Sequence, residues 1–170
     1  VNEGLRVLRP GNAYSATNLG IYAQDLMQLT PQWKLLAGLR WDRMDGSYSS
    51  YAIPDSAGPV TTTSYNQVIS ALSKRVGVLY QPNPLQSFHF SWGTSFNTSG
   101  DAYSYNAQSA NTPPESSLNI ELGAKIDSAN KQFTTRYAIF NSVKTNERNT
   151  DPDSAATQLL LSGKRHSSGF

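Results

Sequence analysis

Apolar and polar residues alternate along much of this chain with a period of two, the mark of strands whose two faces meet different surroundings. Over 118–126, Leu118, Ile120, Leu122, Ala124 and Ile126 point one way and Asn119, Glu121, Gly123 and Lys125 the other. The same alternation sets Trp33, Leu35, Ala37, Leu39 and Trp41 against Lys34, Gly38, Arg40 and Asp42, with Leu36 out of place. A third strand sets Phe88, Phe90 and Trp92, with Phe96 beyond, against Ser87, His89, Ser91 and Gly93. A fourth sets Phe133, Tyr137, Ile139 and Val143 against Thr134, Arg136, Ser142 and Lys144, with Phe140 on the wrong side. Weaker copies cover 18–29, where Asp25 interrupts Leu19, Ile21, Ala23, Met27 and Leu29, and 66–81, where Lys74 breaks the outward face. Short strands over 3–9 and 157–166 bring the expected number to about eight. No stretch repeats apolar residues at helical spacing, so little helix is expected.

The connections alternate in length. Thr30-Pro31-Gln32, Pro82-Asn83-Pro84 and Ser128-Ala129-Asn130 read as tight turns, whereas 46–65, 97–116 and 146–157 are long and polar, and 10–17 falls on the same side as these long loops. In an up-and-down meander this order puts all short turns at one end and all long loops at the other. Strands of about ten to twelve residues tilted ~45° span roughly 25 Å, the height of the apolar band of an outer-membrane barrel. Trp33 and Tyr80 beside short turns, and Trp41 and Phe96 toward the long loops, sit where interfacial girdles belong. The expected fold is therefore all-β: an antiparallel, up-and-down transmembrane β-barrel segment. Two other architectures share the periodicity. One is a complete eight-stranded outer-membrane barrel, which pairing of the first and last strands would establish. The other is a soluble β-sandwich binding module, which a second sheet over Leu118, Ile120 and Leu122 would reveal.

Composition narrows the function more than the fold. The 170 residues include no Cys, so disulfides, thiolate metal sites and cysteine nucleophiles are excluded. Fourteen Lys and Arg against twelve Asp and Glu leave a net charge of +2 scattered along the chain, with no basic stripe for nucleic acid. The mean hydropathy of −0.47 is compatible with a barrel, whose polar face and loops dilute the apolar one. The chain starts at Val1 without a leader-like segment, which suggests a piece of a longer protein. His89 and His166 have no second metal-type residue at ligand spacing. Asp42 with Asp45, and Glu115 with Glu121, are carboxylate pairs best read as structural partners of Arg and Lys on the barrel's inner face. Phosphate loops, nucleophile elbows and Ca²⁺ loops are missing, so neither catalysis nor a cofactor nor a resident metal is expected.

Particular residues carry a family resemblance. The run 18–25 (Asn-Leu-Gly-Ile-Tyr-Ala-Gln-Asp), with Trp33 and Gly38-Leu39-Arg40-Trp41-Asp42, resembles the "YxQD…W…GxRxD" hairpin of TonB-dependent outer-membrane receptors. The run 75–82 (Arg-Val-Gly-Val-Leu-Tyr-Gln-Pro), followed by Ser91-Trp92-Gly93-Thr94-Ser95-Phe96, is similar to their "RxGxxYxP…YSxSF" hairpin. Pro114-Glu115 with 119–125 matches "PE…xxElGxK", Phe140 with Lys144-Thr145-Asn146 matches "F…ktN", and Gly163-Lys164-Arg165 with Gly169 fits "G…G(v)E", lacking the final Glu. The segments 144–152 and 162–166 most resemble the branch importing ferric catecholate siderophores.

The resemblance implies a Gram-negative outer-membrane location and a barrel of about 22 strands around an N-terminal plug. Residues 1–170 would then be an internal slice of that barrel, without the plug. It also implies a ferric siderophore as transported ligand, outer-membrane lipid and lipopolysaccharide as surroundings, and energy from the TonB–ExbB–ExbD complex acting through the missing plug. A bulky anionic catecholate complex calls for cations and aromatic rings, and the outer loops offer Arg43, Tyr48, Tyr51, Tyr103 and Tyr105 as ligand-binding candidates. Arg40 and Arg136 are expected to brace the wall or the plug.

Overall fold

The computed structural model describes residues 11–52, 61–97, 113–150, 159–161 and 163–170. The expected strand at 3–9 and the candidates Tyr103 and Tyr105 lie outside these residues. Strands β1 (Gly11–Gln28), β2 (Trp33–Ala52), β3 (Thr61–Asn83), β4 (Gln86–Asn97), β5 (Glu115–Asp127) and β6 (Thr134–Thr145) follow one another, each antiparallel to the last. The short strands β7 (Arg148–Thr150) and β8 (Leu159–Leu161) pair only with each other, and β9 (Lys164–Gly169) returns to β6. The result is one seven-stranded sheet in sequence order plus a two-stranded ribbon, with no helix among the described residues.

The sheet is open: β1 and β9 are its two ends and do not pair. A closed eight-stranded barrel is therefore not formed by the described residues. Nor, among the described residues, does a second sheet cover the apolar face, whose residues stand bare: Ile21 is 62% exposed, Leu122 52% and Ile139 57%. That is the inverse of a soluble sandwich, whose apolar face would be hidden.

Register places the periodic residues as their pattern requires. Trp33, Tyr80, Phe88, Ala124 and Tyr137 stand at one level of the apolar face, and Leu35, Val78, Phe90, Leu122 and Ile139 at the next. Lys74 does lie on this face, opposite Leu39. Ser70 also interrupts it, but its hydroxyl accepts a 2.8 Å bond from the Trp41 indole, which satisfies both groups.

The strands are longer than the alternation indicates. β1, β2 and β3 run 18, 20 and 23 residues, absorbing 11–17, 46–52 and 61–65, which the polar composition reads as loop. Beyond the apolar band both faces are polar, so the period of two vanishes while the backbone ladder continues. Gly11↔Tyr51 and Ala52↔Thr61 are its last rungs. The second tight turn also sits later than expected, at Pro84-Leu85, because β3 continues through Asn83 across an irregularity after Tyr80. Pro82 cannot donate to a ladder, which explains why pairing breaks there. The expected strand at 157–166 is split into β8 and β9 around Gly163, whose φ of +60° a straight strand cannot carry.

Two residues that violate the alternation, Leu36 and Phe140, share an explanation. Both lie on the polar face beside a glycine. A Cβ on Gly77 would stand 3.4 Å from the Leu36 Cβ, and one on Gly169 only 2.8 Å from the Phe140 ring. On the same face the His89 ring covers Gly123, where a Cβ would collide with the ring, and donates or accepts a 2.8 Å bond with Glu121. The glycines are thus sockets for large side chains of the neighbouring strand.

Short turns at the opposite end from the long loops are tied by side chains. The Thr30 hydroxyl accepts bonds from the Gln32 and Trp33 amides, and the Ser128 hydroxyl accepts one from the Phe133 amide. Asp127 accepts from Lys125 at 2.9 Å and from the Thr134 hydroxyl at 2.7 Å. These hydrogen bonds hold its carboxyl below the usual aspartate value.

Two outcomes follow for a full-length barrel containing this segment. Gly123→Val should displace the His89 ring and destabilise the barrel by about 1–3 kcal/mol, read as a lower temperature for loss of heat-modifiable gel mobility, with a much smaller cost in a His89→Ala background. Because the Asp127 pKa is lowered on folding, its contribution is complete above the ordinary aspartate range and is lost as pH falls through the lowered value. Asp127→Asn should therefore flatten the acid limb of thermal stability measured below about pH 5.

Candidate functional site

The polar face at the long-loop end is the best buried part of the structure. Met44, Tyr48 and Ile69 are only 5–6% exposed, and Gln67 is equally covered. Met44 pairs with Ile69, Gly46 with Gln67 and Tyr48 with Tyr65, so these residues form adjacent rungs on one face of β2 and β3. On the other side of β2, Tyr14 of β1 is the partner of Tyr48. Three tyrosines, Tyr14, Tyr48 and Tyr65, thus stand in one row across three strands, the central ring buried and the outer two partly exposed. The sequence pattern reveals Tyr48 as a candidate but not its neighbours, because 10–17 and 61–65 carry no alternation from which a register could be read.

The pleat separates the candidates of β2. Tyr48 is on the polar face, whereas Arg43 and Tyr51, at odd positions, continue the apolar face beyond its hydrophobic band. Arg43 is exposed and, with Asp45 and Ser47 of β2 and Ser15, Thr17 and Leu19 of β1, frames an open outer groove of about 490 Å³. The structure therefore does not bring Arg43 and Tyr51 together with Tyr48.

Below the tyrosine row, Arg40 makes a two-pronged bond to Asp42, Nε to Oδ2 at 2.7 Å and Nη2 to Oδ1 at 2.6 Å. The fork lies over Gly20, where a Cβ would meet both groups at 2.7 Å. Arg40 thus braces the wall as expected. Asp42 and Asp45 are on opposite faces and do not form a carboxylate pair. Pairing between β3 and β4 stops at Arg75↔Gly93, and past this point Phe96 and Asn97 share an open pocket of about 300 Å³ with Asn18, Arg40, Asp42 and Met44. By register on β5 Phe96 stays in step with Phe88, Phe90 and Trp92 on the apolar face, and it borders this pocket together with Arg43.

On β5, β6 and β9 the same end carries a chain of ion pairs. Lys144 lies 3.1 Å from Glu115 and 3.5 Å from Glu147, and Glu147 also accepts from Arg165. Both carboxylates are only 6% exposed as residues. Lys144 stands past Val143, the last apolar outward residue of β6, and its hydrogen bond to Glu115, with the charge of both glutamates, raises its pKa above the usual lysine value. Two left-handed residues set this arrangement up: Asn146, with φ of 56°, donates its amide to the Gly163 carbonyl at 3.2 Å and its side chain to the Pro114 carbonyl at 3.2 Å. Asn tolerates this conformation better than other non-glycine residues. These pairs tie the ends of β5, β6 and β9 together as a brace. Glu115 and Glu121 likewise work separately, one with Lys144 and the other with His89. Among the described residues no three His, Cys, Asp or Glu gather as a metal site.

Comparison with known proteins agrees with this architecture. Residues 3–170 match the family described as TonB dependent receptor-like, beta-barrel. The probable TonB-dependent siderophore receptor PiuA of Acinetobacter baumannii is 26% identical over 147 residues, 82% of this chain and 19% of its own. The probable TonB-dependent receptor BfrD of Bordetella pertussis is 27% identical over 162 residues, 92% of this chain and 21% of its own. The crystal structure of PiuA superposes with a TM-score of 0.70 at 25% identity, covering 92% of this chain and 22% of that one. The closed form of the ferric-catecholate import receptor Fiu from E. coli K12 superposes with a TM-score of 0.73 at 19% identity, covering 93% and 25%. The chain spans about a fifth of the length of the curated relatives it matches. An open antiparallel sheet with a bare apolar face, polar sockets on the other and a family match along nearly its whole length makes this chain a member of the TonB-dependent receptor β-barrel family, whose proteins reside in the Gram-negative outer membrane.

Proposed function

We propose that this chain is part of the barrel wall of a receptor that imports a ferric siderophore of the catecholate class, binding it on the extracellular side and releasing it inward by a TonB-driven movement of a plug. The reading is of transport, not catalysis, with the siderophore as cargo and no resident cofactor. The observation that carries it is the row Tyr14, Tyr48 and Tyr65 on the inner face at the long-loop end. Three rings on adjacent strands, ~4.8 Å apart in the ladder direction, offer a stacking surface to the aromatic rim of a catecholate complex. Tyr48 supports the row from its buried central position, and Tyr14 and Tyr65 present the partly exposed rings. On the inner face Arg75, next to Gly93, is an exposed cation below the row. Arg43 and Tyr51 face outward and Tyr103 and Tyr105 lie outside the described residues, so Tyr48 is the one described candidate that belongs to this row. PiuA, described as a probable siderophore receptor, supports a siderophore as cargo, without its chemical class; Fiu, at 19% identity, supports the fold.

The test is uptake of ⁵⁵Fe-labelled complexes by iron-starved cells whose only receptor for them is the full-length protein. Uptake of a catecholate complex is expected; uptake of hydroxamate complexes alone would overturn the catecholate assignment. Tyr65→Ala should weaken catecholate binding about three- to tenfold, as loss of one stacked ring does, while Tyr51→Ala, on the opposite face, should leave it unchanged.

A further inference from the structure

The aromatic row at the short-turn end of the apolar face is interrupted on one strand. Trp33 of β2 stacks on Tyr80 of β3 with ring centroids 4.4 Å apart, and Tyr80 on Phe88 of β4 at 6.2 Å. The next residue in register, on β5, is Ala124, and the row resumes on β6 with Tyr137. The missing ring leaves an open notch of about 260 Å³ whose side-chain walls are Phe88, Leu122, Ala124, Tyr137 and Ile139. Apart from the Tyr137 hydroxyl these walls are apolar. The notch lies on interior strands of the sheet, so neighbouring wall strands would not fill it.

This face of a barrel meets lipid, and its short turns lie on the periplasmic side. The turn below the notch carries Lys131, exposed and with no ion pair among the described residues. It is the one basic residue in the three short turns 29–32, 84–85 and 128–133. The nearest carboxylate along the chain, Asp127, is already held by Lys125 and Thr134. From Ala124 to Asp127 the strand advances about 10 Å, which at a ~45° tilt is about 7 Å along the membrane normal, enough to pass from the edge of the hydrocarbon into the headgroup layer. An apolar seat with a free cation one headgroup away matches an acyl chain joined to a phosphate.

We propose that the notch at Ala124 seats one acyl chain of an anionic phospholipid of the periplasmic leaflet, with Lys131 meeting its phosphate. A phospholipid fits better than a glycolipid of the other leaflet, because both elements lie at the short-turn end. The proposal rests on the outer-membrane location of the family and is independent of which siderophore is carried.

The experiment uses full-length receptor extracted from native outer membranes in mild detergent, with retained lipids counted and identified by native mass spectrometry. Ala124→Phe, which completes the aromatic row, should cut the retained phospholipid at least fivefold while the barrel keeps its heat-modifiable mobility. Ala23→Phe, at another outward alanine on β1, should leave it unchanged. Lys131→Gln should shift the retained lipid from anionic to zwitterionic species. Equal retention in wild type and Ala124→Phe, or equal loss in both alanine variants, would overturn the seat. Unchanged lipid class in Lys131→Gln would overturn the phosphate contact, and a retained lipopolysaccharide that disappears with Ala124→Phe would overturn the assignment to the periplasmic leaflet. Siderophore uptake measured on the same variants separates a failure here from a failure of the transport proposal.

Discussion

A backbone N–H or C=O without a partner in hydrocarbon costs several kcal/mol, and the strand-to-strand ladder that prevents this governs everything else in the structure. It explains why strands continue in unbroken register through residues as different as Leu35, Asp45 and Ser49. It also explains why pairing fails where the chain cannot donate, at Pro82, and why the two edge strands β1 and β9 require neighbours in a complete wall.

With the ladder fixed, the two faces solve different problems. The outer face needs only to be apolar and to end in aromatic rings, so its residues are exposed and pack loosely. The inner face has to carry charge in a crowded row. It does so by setting bulky groups over glycines: Arg40 over Gly20, His89 over Gly123, Phe140 over Gly169. Strands only ~4.8 Å apart leave no room for two large side chains directly opposite one another when one of them lies flat. The Glu-x-Gly spacing of Glu121 and Gly123 thereby acquires a steric meaning in this chain, since the glycine makes space for the His89 ring that bonds Glu121 on the same face.

At the long-loop end the same ladder organises the candidate binding surface. The tyrosine row exists because three strands extend past the apolar band in register, and the Glu115 to Arg165 chain exists because Asn146 and Gly163 turn the backbone at matching points of β6 and β9. Neither feature belongs to one segment. Each is assembled from residues far apart in the chain, on strands whose extra length is held by neighbours.

Where one face of a strand must be apolar, sequence alone was enough: β2, β4, β5 and β6 follow from hydrophobic alternation, because lipid imposes a period of two, and the short-turn and long-loop ends follow from the alternating lengths of the connections, whereas the facing of Lys74 needed the register of β3 on β2. Apparent exceptions such as Leu36 and Phe140 needed the partner strand to be understood, since the glycines they cover lie on it. The extensions 11–17, 46–52 and 61–65 were hidden because outside the hydrocarbon neither face is constrained. Only the tertiary register could decide that Tyr48 faces inward beside Tyr14 and Tyr65 while Arg43 and Tyr51 face outward. A shift of one residue would exchange those faces, and what sets the register is the ladder with its neighbours, not any property of β2 itself.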